Sequence, residues 1–599
     1  VVRVKSLDSL IIAALLDAGS LCRVVVDRDV KTVRDRFEDE GESFLTITLP
    51  RFAKSLEQAL AAESLASVRF PNFKSRRGYP CFLRGFLKLV FDESTYQIRS
   101  DPDPAAIQAI RQICLLASKL FEVCDPRRQR RSFDAYVQTE EDVQDLWFND
   151  RDLKDLRAVA TQVFGRQLAA IDSTIARGDH YPTHGPGATA DRLRGNAKYD
   201  SLYWPDRLEA FFPSADFLLP GYSYFERLRQ CTAPQPRDEQ PVRVITVPKT
   251  AEKARIIAME PATVQYAQQS VLREFATHFR SGRSEFITLD SQDRNRQLAR
   301  IGSADGSCST IDLSDASDRI SVDVVSAVFG NYPNLLGALL TSRSTTASLP
   351  DGRRVWLRKF ASMGSATCFP VESVVFATIA LNAVRKELGR SALTPRLLRG
   401  LAKTTRVFGD DIIVPARFTQ RVLADLVSFG MRPNPHKSFW TGRFRESCGG
   451  DYFAGEDVGV FRLRQRLPRT RHDAKEVLAA ISFRNHAYQA GYWRVARLID
   501  ERVAKLRLPM PIVEPTSSVV GRVSVFSWRP QRHHPDYQSP LVKGIKVRTA
   551  VPVSRVSDSG ALLKCLLPGR FAPFADVNHL THGGRPDSVS TIVGWGSPF

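Results

Sequence analysis

Thr405-Arg406-Val407-Phe408-Gly409-Asp410-Asp411-Ile412-Ile413-Val414 is a pair of short β-branched and aromatic runs folded about Gly-Asp-Asp. The pattern predicts a hairpin with two adjacent carboxylates at its tip. The triplet alone is weak. Average composition yields one in a chain this long on the order of one time in ten, and acidic turns are usually only turns. Its setting adds chemistry, because neighbouring carboxylates between apolar strands repel each other unless a cation joins them. Magnesium takes oxygen ligands from one or two carboxylates plus substrate phosphates, so bridging two ions needs a second acidic element.

Thr310-Ile311-Asp312-Leu313-Ser314-Asp315-Ala316-Ser317-Asp318 supplies that element. Asp312 ends an apolar strand, which predicts that it projects at the same sheet edge as Asp410 and Asp411. Two metal ions about 4 Å apart can activate a 3′-hydroxyl and stabilise a leaving pyrophosphate. Positioning and charge neutralisation dominate such phosphoryl transfers. Taken alone, Asp312 reads equally well as a helix cap before Ala316. Asp315 and Asp318 share that reading, and Asp318 has a second one, facing an incoming ribose.

Three further stretches surround the acidic pair. Val242 to Pro248 and Ala254 to Met259 read as strands joined by the basic turn Lys249 to Lys253. Lys249, Lys253 and Arg255 can hold a triphosphate tail or form a solvated basic turn. In Ser362-Met363-Gly364-Ser365-Ala366-Thr367, the residues Ser362, Gly364, Ser365 and Thr367 suit a loop that tracks a template backbone and senses a ribose hydroxyl. The plainer reading is a helix-capping loop. Lys437, after Asn434-Pro435-His436, is a candidate proton donor to departing pyrophosphate, in competition with His436.

The elements between these stretches complete an order. A helix is expected from about Pro261 to Arg280, another over Ile320 to Phe329, and a long one from Pro370 to about Leu388. Strand, helix, helix, hairpin, helix, strand describes an α+β fold with a split-βαβ sheet layer. N-terminal to it, residues 1 to about 240 alternate helices, such as Ala53 to Ala66 and Ala105 to Val123, with loops. Pro126 to Arg131 reads as a basic loop and Cys231 to Pro241 as a linker.

With 599 residues the chain is too long for one core, and two to four subdomains are expected. Lys and Arg number 85 against 65 Asp and Glu, a net charge of +20 that suits a polyanionic partner. Val374 to Val384 is the nearest approach to a membrane span, but Glu372 and Lys386 flank it below spanning length. No membrane partner and no secretory signal are expected. The chain opens on Val1 rather than Met, as a partial or processed chain does. Nine cysteines without a C-x-x-C pair suit free thiols in a reducing compartment.

In sum of motifs, the sequence resembles the replicase catalytic (beta) subunits of the small positive-strand RNA phages, the levivirus type. The matching stretches are Val247-Pro248-Lys249 through Arg255 to Glu260-Pro261, Thr310 to Asp318, Ser362-Met363-Gly364 through Glu372-Ser373, and Phe408 to Ile413. Phe444-Arg445-Glu446-Ser447-Cys448-Gly449, followed by Asp451-Tyr452-Phe453, is the narrowest of them. The likeness covers about residues 240 to 465. It implies a right-hand fingers–palm–thumb polymerase with a split-βαβ (RRM-like) palm. By analogy, residues 1–300 are the N-terminal region and fingers, with the basic hairpin at 242–260. Residues 301–460 are the palm with a fingers insertion at about 330–360, and 461–599 the thumb and C-terminal region.

The resemblance also implies RNA-dependent RNA synthesis from ribonucleoside triphosphates on a single-stranded RNA template, without an oligonucleotide primer. It implies two magnesium ions, replaceable by manganese, on Asp312, Asp410 and Asp411. Host elongation factors Tu and Ts and a ribosomal small-subunit protein are the implied partners, in the cytoplasm of an infected bacterium. The rival polymerases are a narnavirus-like enzyme and a reverse transcriptase, though the small polar Ser314-Asp315-Ala316-Ser317 favours ribonucleotides. A non-catalytic basic RNA-binding protein explains the charge but not the three aspartates. A glycosidase has no use for Lys249, Lys253 and Arg255. Arg462, Arg464, Arg466, Arg469 and Arg471 read as an RNA groove or a solvated basic face.

Overall fold

The computed structural model describes residues 7–76, 78–120, 123–567, 580–581 and 583–599. Its central feature is a three-stranded antiparallel sheet in the order Cys308–Ile311, Asp411–Pro415, Arg406–Phe408. Alternation divides its residues between two faces. Ile311, Val407, Ile412 and Val414 pack with the helix Cys368–Glu387, while Cys308 and Ile413 pack with Leu298 and Ala299 of the helix Asp293–Asp305. A sheet buried on both sides explains why its strands read as unbroken apolar runs.

The helix Cys368–Glu387 is apolar around its whole circumference, as a helix through a core must be. At 20 residues it is long and apolar enough to cross a membrane, and 89% of its most apolar window is buried inside the protein. The apolar run expected over Val374 to Val384 is thus part of a longer helix that begins at Cys368 and ends at Glu387. Interior burial accounts for the composition.

A second sheet runs Arg255–Met259, Val242–Val247, Thr346–Ser348, Arg354–Trp356. The first two strands form the expected antiparallel basic hairpin, and Thr346–Ser348 joins it in parallel. Two large cores organise the rest. One unites residues from Leu156 to Met431 around the long helix, with Leu563. The other joins the N-terminal helices Leu7–Cys22, Leu49–Ala62 and Pro104–Leu115 to the C-terminal helices Ala474–Gln489 and Trp493–Lys505. In the second core Arg111, fully buried, bridges Glu57 and Asp451 at 3.0 Å each.

Pro126 to Arg131 is not a loop. It is the first turn and a half of the helix Pro126–Gln144, whose N-terminus is capped by the Asp125 carboxylate accepting from Arg127 N. An Asp cap followed by Pro at the first helical position is a strong helix start that the basic run masked. The expected Ala53–Ala66 and Ala105–Val123 helices begin earlier and stop at Ala62 and Leu115. All nine cysteines are free.

Candidate active site

Asp410 and Asp411 sit where the sequence placed them. Phe408 pairs with Asp411, leaving Gly409 and Asp410 as the two-residue tip. Gly409 has φ +59°, and a Cβ there would lie 2.7 Å from Phe369 Cε2, so only glycine fits this turn. Its amide donates to Ser373 Oγ at 3.0 Å, tying the tip to the long helix. Across the sheet Ile311 pairs with Ile412, so one more residue of register sets Asp312 opposite Asp411. The capping alternative for Asp312 fails. Ser321 caps the helix Val322–Phe329, and the short turn Ala316–Arg319 has Asp315 in the capping position without a capping hydrogen bond.

Each carboxylate has distinct surroundings. Asp312 accepts from Asn434 Nδ2 at 2.9 Å, with Lys437 Nζ at 3.5 Å. Asp411 accepts from Ser447 Oγ and Cys448 N, both at 3.2 Å. Asp410 is exposed at the hairpin tip and lines a cavity, yet burial of its carboxyl is the main influence on its charge. That burial, followed by the charges of Asp411 and Asp312, pushes its pKa up to about 6. Asp411 also rises, chiefly from burial. Glu372, buried on the long helix beside them, is held well above the carboxylate range by burial and then by Asp410 and Asp318. Lys437 lies 3.9 Å from Glu446, and that charge foremost raises its pKa, so the amine stays protonated.

The narrow motif Phe444 to Gly449 now has a physical account. Phe444–Ser447 and Gly450–Phe453 form a hairpin turning at Cys448 and Gly449, both at positive φ. Its Ser447 and Cys448 grip Asp411, and its Glu446 faces Lys437. Arg445 is fully buried and donates to the carbonyls of Cys308, Thr441, Gly442 and Phe444. It clips this hairpin to the strand that carries Asp312.

A cavity of about 170 Å³ opens beside the acidic edge, lined among others by Lys249, Lys253, Arg255, Asp318, Glu372 and Asp410. Lys253 reaches Asp315 at 3.0 Å. Burial, then Arg255, Lys437 and Lys253, lowers the pKa of Lys249. A cluster of cations that disfavour one another's charge is a site for an anion. The loop behaves differently from expectation. Ser365 and Thr367 are buried and hydrogen-bond each other at 3.1 Å, while Met363 lines the cavity. Gly364, at φ +133°, would put a Cβ 2.0 Å from Ala258 O, which welds this loop to the basic hairpin. Thr367 precedes the long helix without a capping hydrogen bond, so the loop is not a side-chain cap.

Sequence reasoning missed Tyr136, Glu140 and Lys359. Tyr136 lines the cavity wall, and its hydroxyl is 2.9 Å from Ser362 Oγ. Ser132, Tyr136, Thr139 and Glu140 share the buried face of the helix Pro126–Gln144, and because three of the four are polar that face carries no apolar signal in the sequence. The arginines after the hairpin differ in exposure and in partners. Arg466 holds Glu42 through two bonds of 2.8 and 2.7 Å. Arg462 is half-buried beside Asp451, Glu446 and Glu57, and burial lowers its pKa. Arg464, Arg469 and Arg471 are exposed.

Hard carboxylate oxygens under mutual repulsion suit a divalent cation. Among the described residues, however, no three His, Cys, Asp or Glu side chains converge as a ready-made metal cage. Asn434 and Lys437 hold Asp312, and Ser447 with Cys448 holds Asp411, so the donors are adjacent but separately restrained.

Residues 215–489 match the family described as RNA replicase, beta-chain. Over 225 residues the chain is 36% identical to the RNA-directed RNA polymerase subunit beta of Enterobacteria phage SP, covering 38% of this chain and 36% of that protein. Over 222 residues it is 36% identical to the RNA-directed RNA polymerase beta chain of Escherichia phage MS2, covering 37% of each. The chain thus spans little more than a third of the length of these relatives. Among solved structures, the BmCPV RNA-dependent RNA polymerase at elongation state aligns with a TM-score of 0.37 and 10% identity, over 66% of this chain and 38% of that one. The stretch that carried the sequence resemblance, about 240 to 465, lies inside the family match.

Proposed function

We propose that this chain is an RNA-directed RNA polymerase that replicates a positive-strand RNA phage genome by nucleotidyl transfer, without a primer. The observation that carries the reading is the apposition of Asp312 and Asp411 across one sheet edge, with Asp410 at the tip, beside a cavity walled by Lys249, Lys253 and Arg255. Acidic edge and cationic wall together fit a metal-bound nucleoside triphosphate, and neither alone would.

Lys249, Lys253 and Arg255 hold the triphosphate tail and offset its charge. Asp312, Asp410 and Asp411 would hold two magnesium ions, or manganese in their place. Bound there, the ions would supply charge neutralisation at the reacting phosphate and lower the pKa of the attacking hydroxyl. Asn434, Ser447 and Cys448 orient the carboxylates. Lys437, kept protonated by Glu446 and Asp312, carries the proton that departing pyrophosphate takes up. Ser362, Gly364, Ser365 and Thr367 shape the wall behind the nucleotide, with Asp318 at the ribose.

The central sheet, backed by the long helix, is the palm of a right-hand fold, with a split-βαβ order. Residues 1–300 are the N-terminal region and fingers, 301–460 the palm, and 461–599 the thumb and C-terminal region. The insertion at 330–360 lends its strands Thr346–Ser348 and Arg354–Trp356 to the basic hairpin sheet, as a part of the fingers would. The proposed setting is the cytoplasm of an infected bacterium, with elongation factors Tu and Ts and a ribosomal small-subunit protein as partners. The test is template-directed incorporation of ribonucleotides by the purified chain with magnesium and those host factors. Asp410→Asn should reduce it by roughly 10²–10³-fold, the size of a lost electrostatic contact to the transition state. Unchanged synthesis by that variant sinks the reading.

A further inference from the structure

Lys359 is completely buried. Its Nζ lies 2.7 Å from Glu140, 2.8 Å from Asp318 and 3.6 Å from the centroid of the Tyr136 ring. Its backbone is clamped as well. Glu140 Oε2 accepts from the amides of Arg358 at 2.7 Å and Lys359 at 3.3 Å. Arg343 donates to the carbonyls of Leu357, Lys359 and Phe360. A lysine enclosed and fixed in this way cannot reach a ligand, so its effect must pass through what it touches.

Two of its neighbours face the cavity. Asp318 gives Oδ1 to Lys359, and among the described residues Oδ2 has no protein donor. Tyr136 passes its hydroxyl to Ser362 Oγ at 2.9 Å. Asp318 and Asp410 each stand close enough to Glu372 for their charges to interact with it. Three carboxyl groups on one cavity wall would turn away from one another, and Lys359 is the buried counterion that holds Asp318 in place at 2.8 Å. Along the cavity, Lys249, Lys253 and Arg255 define the phosphate end and Asp410 the reacting end. Asp318 is left where the sugar lies.

We propose that Lys359 is a positioning residue for ribose selection: with Glu140 and Tyr136 it fixes Asp318 Oδ2 as the acceptor for a nucleotide 2′-hydroxyl, with Ser362 held behind that wall by the Tyr136 hydroxyl. The inference rests on the polymerase reading for its ligand. It needs no contact between Lys359 and the substrate.

The experiment compares the full chain with Lys359→Met and Tyr136→Phe, each first checked by thermal melting. Equilibrium binding of GTP and 2′-deoxy-GTP with magnesium is measured beside single-nucleotide extension. Lys359→Met should weaken GTP about tenfold, the order of one charge-assisted hydrogen bond, and leave 2′-deoxy-GTP unchanged. In extension the loss should fall on KM for GTP, with kcat within about twofold. Tyr136→Phe should lower the same preference by a smaller factor, about threefold. If Lys359→Met weakens both nucleotides equally, or keeps the preference, the proposal fails. Should Lys359→Met not fold, an unchanged preference in Tyr136→Phe overturns it. If no variant or parent extends RNA but binding follows the expected pattern, the polymerase reading falls and the ribose inference stands. A parent that binds both nucleotides alike overturns the inference.

Discussion

Ionising Asp410 works against the fold. Its pKa of about 6 lies above the ordinary 3.8, so the folded state binds a proton more tightly than the unfolded chain. Stability therefore falls as pH rises from about 4 to about 6, and the charge persists at neutral pH as a cost. Asp410→Asn should raise metal-free stability at pH 7 by about 1 kcal/mol, after allowance for solvent at this open side chain. Denaturant midpoints in chelator would show it, and a less stable variant would contradict the assignment of strain. The same sign governs the metal. A cation prefers the ionised group, so magnesium affinity should rise with pH through about 6 and binding should release protons. Titration calorimetry in buffers of different ionisation enthalpy measures that release directly. At this scale the sequence was legible for Asp312, Asp410 and Asp411, because strand ends and a turn tip fix where such residues project. It was silent on Lys359, whose partners Glu140, Asp318 and Tyr136 meet only after folding, and no spacing in the chain encodes their meeting.

Two hairpins and one helix hold the acidic edge, and each has a weak point that substitution can probe. Gly409→Ala forces a Cβ against Phe369 at a left-handed φ. About 2 kcal/mol of destabilisation is expected from strain and overpacking together. Synthesis should fall further than stability explains, because the tip carries Asp410. Arg445→Met removes four carbonyl-directed bonds from the clip between the Glu446 hairpin and the Asp312 strand. It should cost about 3 kcal/mol, since buried carbonyls lose their donor. Equal thermal midpoints for this variant and the parent would remove Arg445 from its role as a clip. The hairpins were readable from alternation and Gly-containing tips. The helix Pro126–Gln144 was not, because its first turn is dominated by arginines that look like a solvated loop. Its capping aspartate and first-turn proline were the better evidence.

Across the whole molecule, charge and core answer separate questions. The +20 charge favours a polyanion, but not every cation in the chain is available to one. Arg466 is committed to Glu42 by two hydrogen bonds, linking the N-terminal helices to the segment after the hairpin of residues 444–453. Arg111, between Glu57 and Asp451, ties the same two regions inside their shared core. The composition could not separate structural arginines from contacting ones, because both raise the net charge alike. Salt dependence separates them. Each lysine or arginine that neutralises an RNA phosphate contributes about 0.7 to the slope of log affinity against log salt for a single strand. Replacing the exposed Arg469 and Arg471 together should flatten that slope by about 1.4, with thermal stability unmoved. Arg466→Ala should instead lower stability by about 1 kcal/mol and leave the slope within error, as the loss of a half-exposed ion pair does. Filter binding of a short single-stranded RNA from low to moderate salt, beside melting curves, reads both. If Arg466→Ala flattens the slope as the pair does, the arginine run is one groove after all, and the link to Glu42 is secondary to RNA.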